Sequence, residues 1–175
     1  MKYNLYFTVF ADGRVEVTLD GHLREKMHWL QRLGFEFVMP SDNFTFAYYG
    51  RGPKENYCDM HHASFVGFYT SDVESEYVEY DMPQEHGTHI DTKRLHIGEL
   101  VFLSKSSFEF NVSQYDAYML DKARHTDELV SDGKIHLRID YKNSGLGSNS
   151  CGPALEPKFR LSEKDIVFSF AFKPM

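Results

Sequence analysis

The run Ile166-Val167-Phe168-Ser169-Phe170-Ala171-Phe172 sets a large apolar side chain at every second position. Successive side chains of a β-strand point to opposite faces, so this run has the period of a strand and not of a helix. The intervening Val167, Ser169 and Ala171 are themselves apolar or small, which suits a strand buried on both sides. The same period recurs elsewhere. Val15, Val17 and Leu19 alternate with Arg14, Glu16 and Thr18; Phe44, Phe46 and Tyr48 alternate with Asn43, Thr45 and Ala47. Ile135, Leu137 and Ile139 alternate with His136, Arg138 and Asp140. Asp12-Gly13, Asp132-Gly133 and the Gly145–Gly147 segment supply turn signals between such runs.

One stretch breaks the pattern. From Ser113 to Val130 the chain reads SQYDAYMLDKARHTDELV. Ser113 is placed to cap a helix, Asp116 falls in its first turn, and Tyr115, Tyr118, Met119 and Lys122 keep a loose helical spacing. A second short helical or irregular piece is expected at Gly21–Lys26. Trp29 lies in an alternating segment and is expected in the core. With no repeat, low-complexity tract or linker, residues 1–175 read as one mainly β domain: an antiparallel β-sandwich with one short helix.

Composition narrows the partners. The 175-residue chain is long enough for a substantial core. Its 15 Phe and 11 Tyr favour strands. A net charge of −7 with no basic run argues against a nucleic-acid partner. No apolar stretch nears the roughly 20 residues that span a membrane, and MKYNLYFTVFADG lacks the continuous apolar core of a signal peptide. A cytoplasmic location is the resulting expectation. Two cysteines, Cys58 and Cys151, sit far apart in Gly/Pro-bearing loops, and free thiols are expected.

Candidate chemistry is sparse. His61-His62 and Glu85-His86-Gly87-Thr88-His89 offer imidazoles and a carboxylate suited to zinc. Neighbours in a strand point to opposite faces, however, so His61 and His62 are not expected to share an ion. Surface or hydrogen-bonded histidines are the expectation, and no metal site is assigned. The carboxylates from Asp72 to Asp81 (DVESEYVEYD) alternate as a solvated strand face would. No nucleophile elbow, phosphate loop or dinucleotide fingerprint occurs. Three loops stand out instead, each dense in Gly, Pro and polar residues: Tyr49–Asp59, Asp81–Leu95 and Gly145–Pro157. Such loops on a β-scaffold commonly carry binding sites.

Those loops carry a resemblance. GRGPKENYCD, MPQEHGTHIDTKRL and SNSCGPAL, with FEFNVSQYD between the last two, resemble in order and spacing the motifs of β-galactosidases of glycoside hydrolase family 2. The resemblance covers Tyr3–Pro174 and is to the C-terminal domain, a large antiparallel sandwich of galactose mutarotase-like fold. That domain is longer than this chain, which implies that its first strands are missing here. His86 stands where that family usually has Asn, and His89 where it has Arg.

The resemblance implies a non-catalytic segment of a retaining glycosidase. In that family two glutamates of a (β/α)₈ barrel supply the chemistry, and neither segment is present here. It also implies that Arg51, Glu55, Asn56, Tyr57, Asp59, Gln84 and Glu85 hold the loops in shape. Ser150, Cys151 and Gly152 are expected at the substrate rim, Cys151 replacing a Trp that some members carry. No cofactor is expected in this segment, Mg and Na belonging to the barrel. The implied partners are the barrel and other domains, a galactoside through the complete enzyme, and a second copy in a homo-oligomer. A stand-alone carbohydrate-binding module and a mutarotase-like epimerase are the alternatives.

Overall fold

A computed structural model describes residues 1–40, 45–147 and 152–175. Nine strands account for most of it. In chain order they are β1 (Lys2–Val9), β2 (Val15–His22), β3 (Arg32–Pro40), β4 (Thr45–Gly52), β5 (Phe65–Asp72), β6 (Thr88–Ile97), β7 (Leu100–Ser113), β8 (Lys134–Asn143) and β9 (Asp165–Pro174). One helix, α1 (Ala117–Lys122), and 3₁₀ turns at Thr126–Glu128 and Pro157–Phe159 complete the described elements.

Every pairing is antiparallel. The order β1-β2-β9-β7-β6-β4-β5 forms the main path, and β8 and then β3 branch from β7. The fourteen-residue β7 makes the branch possible. Its start, Leu100–Leu103, pairs with β9, while its end, Glu109–Ser113, pairs with β8. The β3–β8 pair thereby folds over the main path. Phe37 of β3 meets Phe102 at 5.1 Å and Phe172 at 5.7 Å, and Phe35 meets Phe170 at 5.4 Å between ring centroids. Ile135, Leu137 and Ile139 of β8 join Val17, Phe102, Phe168 and Phe170 in the same core. Each such buried side chain contributes about 1.5–3 kcal/mol through surface removed from water. The antiparallel sandwich is thus one continuous sheet turned onto itself.

Several local expectations are corrected. β9 is buried on one face only, with Val167 69% exposed, because no element among the described residues packs over that side of the strand. β8 is the strand with two buried faces: His136, Arg138 and Asp140, on the side opposite its isoleucines, are buried as well. The helix starts three residues late. Asp116 is its cap, accepting from the Met119 amide at 2.6 Å, and Ser113 is the last residue of β7. Of the two alternatives for Gly21–Lys26 the irregular one holds, from Leu23 on: β2 runs through His22, and Leu23 donates its amide to the Lys164 carbonyl at 2.8 Å. Trp29 is half-buried in a loop and not in the core. Asn43 and Phe44 lie outside the described residues. Gly13 and Gly133, with φ of 80° and 76°, make the turns that Asp-Gly announced.

β1 and β5 form the two edges of the main path. Register puts Leu5 and Phe7 opposite Leu19 and Val17, on the core face of the sheet. Yet Phe7 is 61% exposed, and Tyr3 and Val9 are exposed beside it. The β3–β8 layer does not reach that far.

Candidate functional site

β4 delivers the Arg51–Asp59 loop, and Gly50 and Gly52 let it pass close to its neighbours. A Cβ at Gly50 would collide with Thr92, and one at Gly52 with the Tyr48 hydroxyl. Asn56 then ties the loop to β6. Its amide donates to the Thr88 carbonyl at 2.7 Å, its Nδ2 to the carbonyls of Arg51 and Lys54, and its Oδ1 accepts from the Ile90 amide at 2.9 Å. Fully buried polar groups are stable only when so paired. Arg51 reaches Asp91, a non-glycine residue at φ 56°, through Nε at 2.8 Å.

The same loop holds the other two. Glu55 accepts from the Tyr80 hydroxyl at 2.6 Å and from the Gly87 amide at 2.7 Å. Asp59 accepts from the amides of Leu146 and Gly147 at 3.1 and 2.8 Å. Gly145 packs so tightly on the Asp59 carboxylate that a Cβ there would overlap it. The Gly145–Gly147 segment is therefore a docked loop and not a hairpin turn. Gln84 is exposed and Glu85 half-buried; Glu85 accepts from Arg32 Nη1 at 2.8 Å.

Behind these loops lies a charged group that sequence reasoning missed. Arg32 also donates to Asp140. Burial works against its charge, but Asp140 and Glu85 outweigh burial and shift its pKa upward. Asn143 donates both its amide and its Nδ2 to Glu109 Oε2, at 2.7 and 2.9 Å. Burial nevertheless pushes the Glu109 carboxyl up to about 8, with Asp140 adding to the effect. The visible signal was the alternation Phe35-Glu36-Phe37, which marks β3, where Arg32 is the first residue.

The histidines divide. His89 is fully buried, with Nε2 2.8 Å from Glu76 and Nδ1 3.1 Å from the Tyr48 hydroxyl. His86 is buried and donates through Nδ1 to the Gln84 carbonyl at 2.8 Å. His61 and His62 do not lie in a strand with opposed rings. They occupy a turn and stack at 4.6 Å. The Asp72–Asp81 run is likewise a series of turns, and its Glu76 is buried against His89 instead of solvated. Among the described residues no group of three or more His, Cys, Asp or Glu is placed to hold a metal ion.

A cavity of about 430 Å³ opens between these loops. Arg32, Tyr57 and Asn143 line it together with Trp29, Gln84 and Leu146. Burial holds the Tyr57 hydroxyl well above the usual tyrosine range. Of the expected rim residues, Ser150 and Cys151 lie outside the described residues, and Gly152 is exposed. Cys58 is a free thiol, pushed up to about 11 chiefly by burial.

Comparison with known proteins matches residues 1–172 to the family model described as beta galactosidase small chain. The β-galactosidase of Actinobacillus pleuropneumoniae is 33% identical over 170 residues, which are 97% of this chain and 17% of that protein. That of Vibrio cholerae is 35% identical over 168 residues, 95% of this chain and 16% of that protein. For Kluyveromyces lactis the identity is 38% over 145 residues, covering 79% of this chain and 14% of that β-galactosidase. The chain thus spans about one-sixth of the length of these relatives. No helix among the described residues is long and apolar enough to cross a membrane.

Proposed function

The chain belongs to the β-galactosidase small-chain family, and from that premise we propose that it is the non-catalytic β-sandwich part of an enzyme hydrolysing terminal β-D-galactosides. One observation carries this reading. The core face of the sheet continues past the β3–β8 layer onto β1, where Tyr3, Phe7 and Val9 stand exposed. An apolar face with that orientation is stable when another surface covers it, at roughly 25 cal/mol per Å² removed from water. The rest of such an enzyme supplies the cover.

In this proposal the catalytic carboxylates belong to a barrel elsewhere in the enzyme, one acting as acid and base and the other as nucleophile. Mg and Na belong there too, and this segment takes no cofactor. The three loops present a fixed surface to the barrel mouth. Glu55, Asn56 and Asp59 hold it through backbone amides and carbonyls, Arg51 through Asp91, and Glu85 through Arg32. Tyr57 is buried beneath them, and Gln84 is at the exposed side. Ser150, Cys151 and Gly152 form the rim nearest the galactoside in a cytoplasmic enzyme.

Hydrolysis of an aryl β-galactoside tests the proposal. The chain is assayed alone and after mixing with the remaining part of its parent enzyme. Activity in the mixture only is the expected result. Release of nitrophenol by the chain alone, free of host enzyme, refutes a non-catalytic role.

A further inference from the structure

We propose that the cavity where Tyr77, His86 and Tyr115 meet binds an alkylammonium ion, held by its N–H donors and its charge. This goes beyond the reading above and does not depend on it. At about 240 Å³ the cavity is smaller than most small-molecule sites, which run roughly 300–1,000 Å³. It therefore suits a short amine or the end of a lysine side chain.

His86 gives the first indication. The residue is only 3% exposed, and its Nδ1 donates to the Gln84 carbonyl at 2.8 Å. In the neutral ring Nε2 is then an acceptor. No described residue donates to it. Unlike the sealed Tyr57 hydroxyl, this unpaired atom opens onto the cavity that its ring lines. Native interiors seldom leave such a group unpaired, so the cavity calls for a donor.

The rest of the wall selects the charge of that donor. The Tyr77 ring meets His86 at 4.9 Å and 80°, and Tyr115 at 5.8 Å and 69°. Rings set at such steep angles wall the cavity on more than one side, and aromatic walls attract cations. Exposed Glu74 adds a carboxylate that pairs with no cation among the described residues. No Lys or Arg is among the described lining residues. Arg138, which donates to the Tyr115 carbonyl at 3.4 Å, already has Glu36 as its counter-ion. Val73 and Val112 offer apolar surface to an alkyl stem. A neutral alcohol leaves Glu74 unanswered, and an anion is repelled by it. A quaternary ammonium suits the rings but has no N–H for His86. A protonated amine meets all of these at once.

Calorimetric titration of the 175-residue chain with butylammonium chloride tests the site. Saturable binding is expected, with no response to butan-1-ol or potassium chloride and weaker binding of tetramethylammonium. The peptide acetyl-Gly-Lys-Gly-amide separates the two sources of the ligand. Tighter binding of the peptide than of butylammonium assigns the site to a lysine of a partner protein, and weaker binding assigns it to a free amine. Glu74→Gln, at an exposed position, keeps the fold and should weaken butylammonium binding roughly 3-fold, the share of one exposed ion pair. His86→Asn removes Nε2 and should weaken it roughly 10-fold, the share of one hydrogen bond to a charged group. The proposal is overturned if butylammonium gives no saturable response, or if butan-1-ol binds equally well. Unchanged affinity in Glu74→Gln also overturns it, and that arm stands even if His86→Asn does not fold. So does tetramethylammonium binding as tightly as butylammonium, because Nε2 would then accept nothing.

Discussion

Replacing Glu109 by Gln should stabilise the protein at neutral pH, and by an amount that grows with pH. In the folded state burial raises this carboxyl from 4.5 to about 8 even though Asn143 donates two hydrogen bonds to it. The unfolded chain therefore releases the proton first. Between pH 4.5 and 8 the native state holds a proton that the unfolded state does not. The contribution of this group is thus fully present below 4.5 and lost as pH rises to 8. The slope is about 1.4 kcal/mol per pH unit, so the group costs on the order of 3 kcal/mol by pH 7. Glutamine keeps an oxygen for the Asn143 amide and Nδ2 and has no proton to lose. Urea unfolding of wild type and Glu109→Gln at unit intervals from pH 4.5 to 8 measures the effect. The two stabilities should diverge steadily, with the variant ahead. Parallel curves would show that the carboxyl is ionised in the fold and would refute the reasoning. Arg32 keeps its charge throughout this window and cannot imitate the effect.

Other perturbations test the packing. Gly34→Ala would drive a methyl group into Asp140 and the Ile139 carbonyl where β3 shifts register. A loss of about 2–3 kcal/mol in chemical unfolding is expected, and an unchanged midpoint would mean the strands are not so close. Asp59→Ala removes the acceptor of the Leu146 and Gly147 amides. Those two amides should exchange faster with solvent while β8 stays protected, at a cost of about 1–2 kcal/mol; unchanged exchange would show that the loop is held by other contacts. Phe7→Lys on the open edge should lower concentration-dependent association in sedimentation and shift stability by no more than about 0.5 kcal/mol. Association that persists unaltered would exclude the β1 edge as its seat.

The strand pattern was legible because β2, β8 and β9 each keep a strict alternation of large apolar residues. Which faces were buried was not. The outward Val167 looks like core and is exposed, while Arg138 and Asp140 look like surface and are buried. Alternation reports one apolar face and is silent on what covers the other. The Arg32–Asp140–Glu85 group was invisible for a related reason: Arg32 is 53 residues from Glu85 and 108 from Asp140, and the three meet only once β3 pairs with β8 and the loop before β6 packs beside them. The helix start was misplaced because Ser113 and Asp116 both carry a capping oxygen. Ser113 instead accepts from the Tyr115 amide at 3.0 Å at the end of β7, leaving the cap to Asp116. The three loops were legible as a set through their motif residues, but their mutual contacts through Glu55 and Asp59 required the structure.

β9, the last of the described strands, lies in the interior of the sheet between β2 and β7. The Thr18 and Ser169 hydroxyls that meet across β2 and β9 are 151 residues apart. Closing so long a loop costs chain entropy that only the completed pairing returns, and folds dominated by such distant pairings assemble slowly. During synthesis β2 emerges before β9 and must wait, with Val17 and Leu19 uncovered, until β9 leaves the ribosome. Throughout that interval the nascent chain exposes a strand edge and its apolar face, the condition under which unfinished β-proteins aggregate.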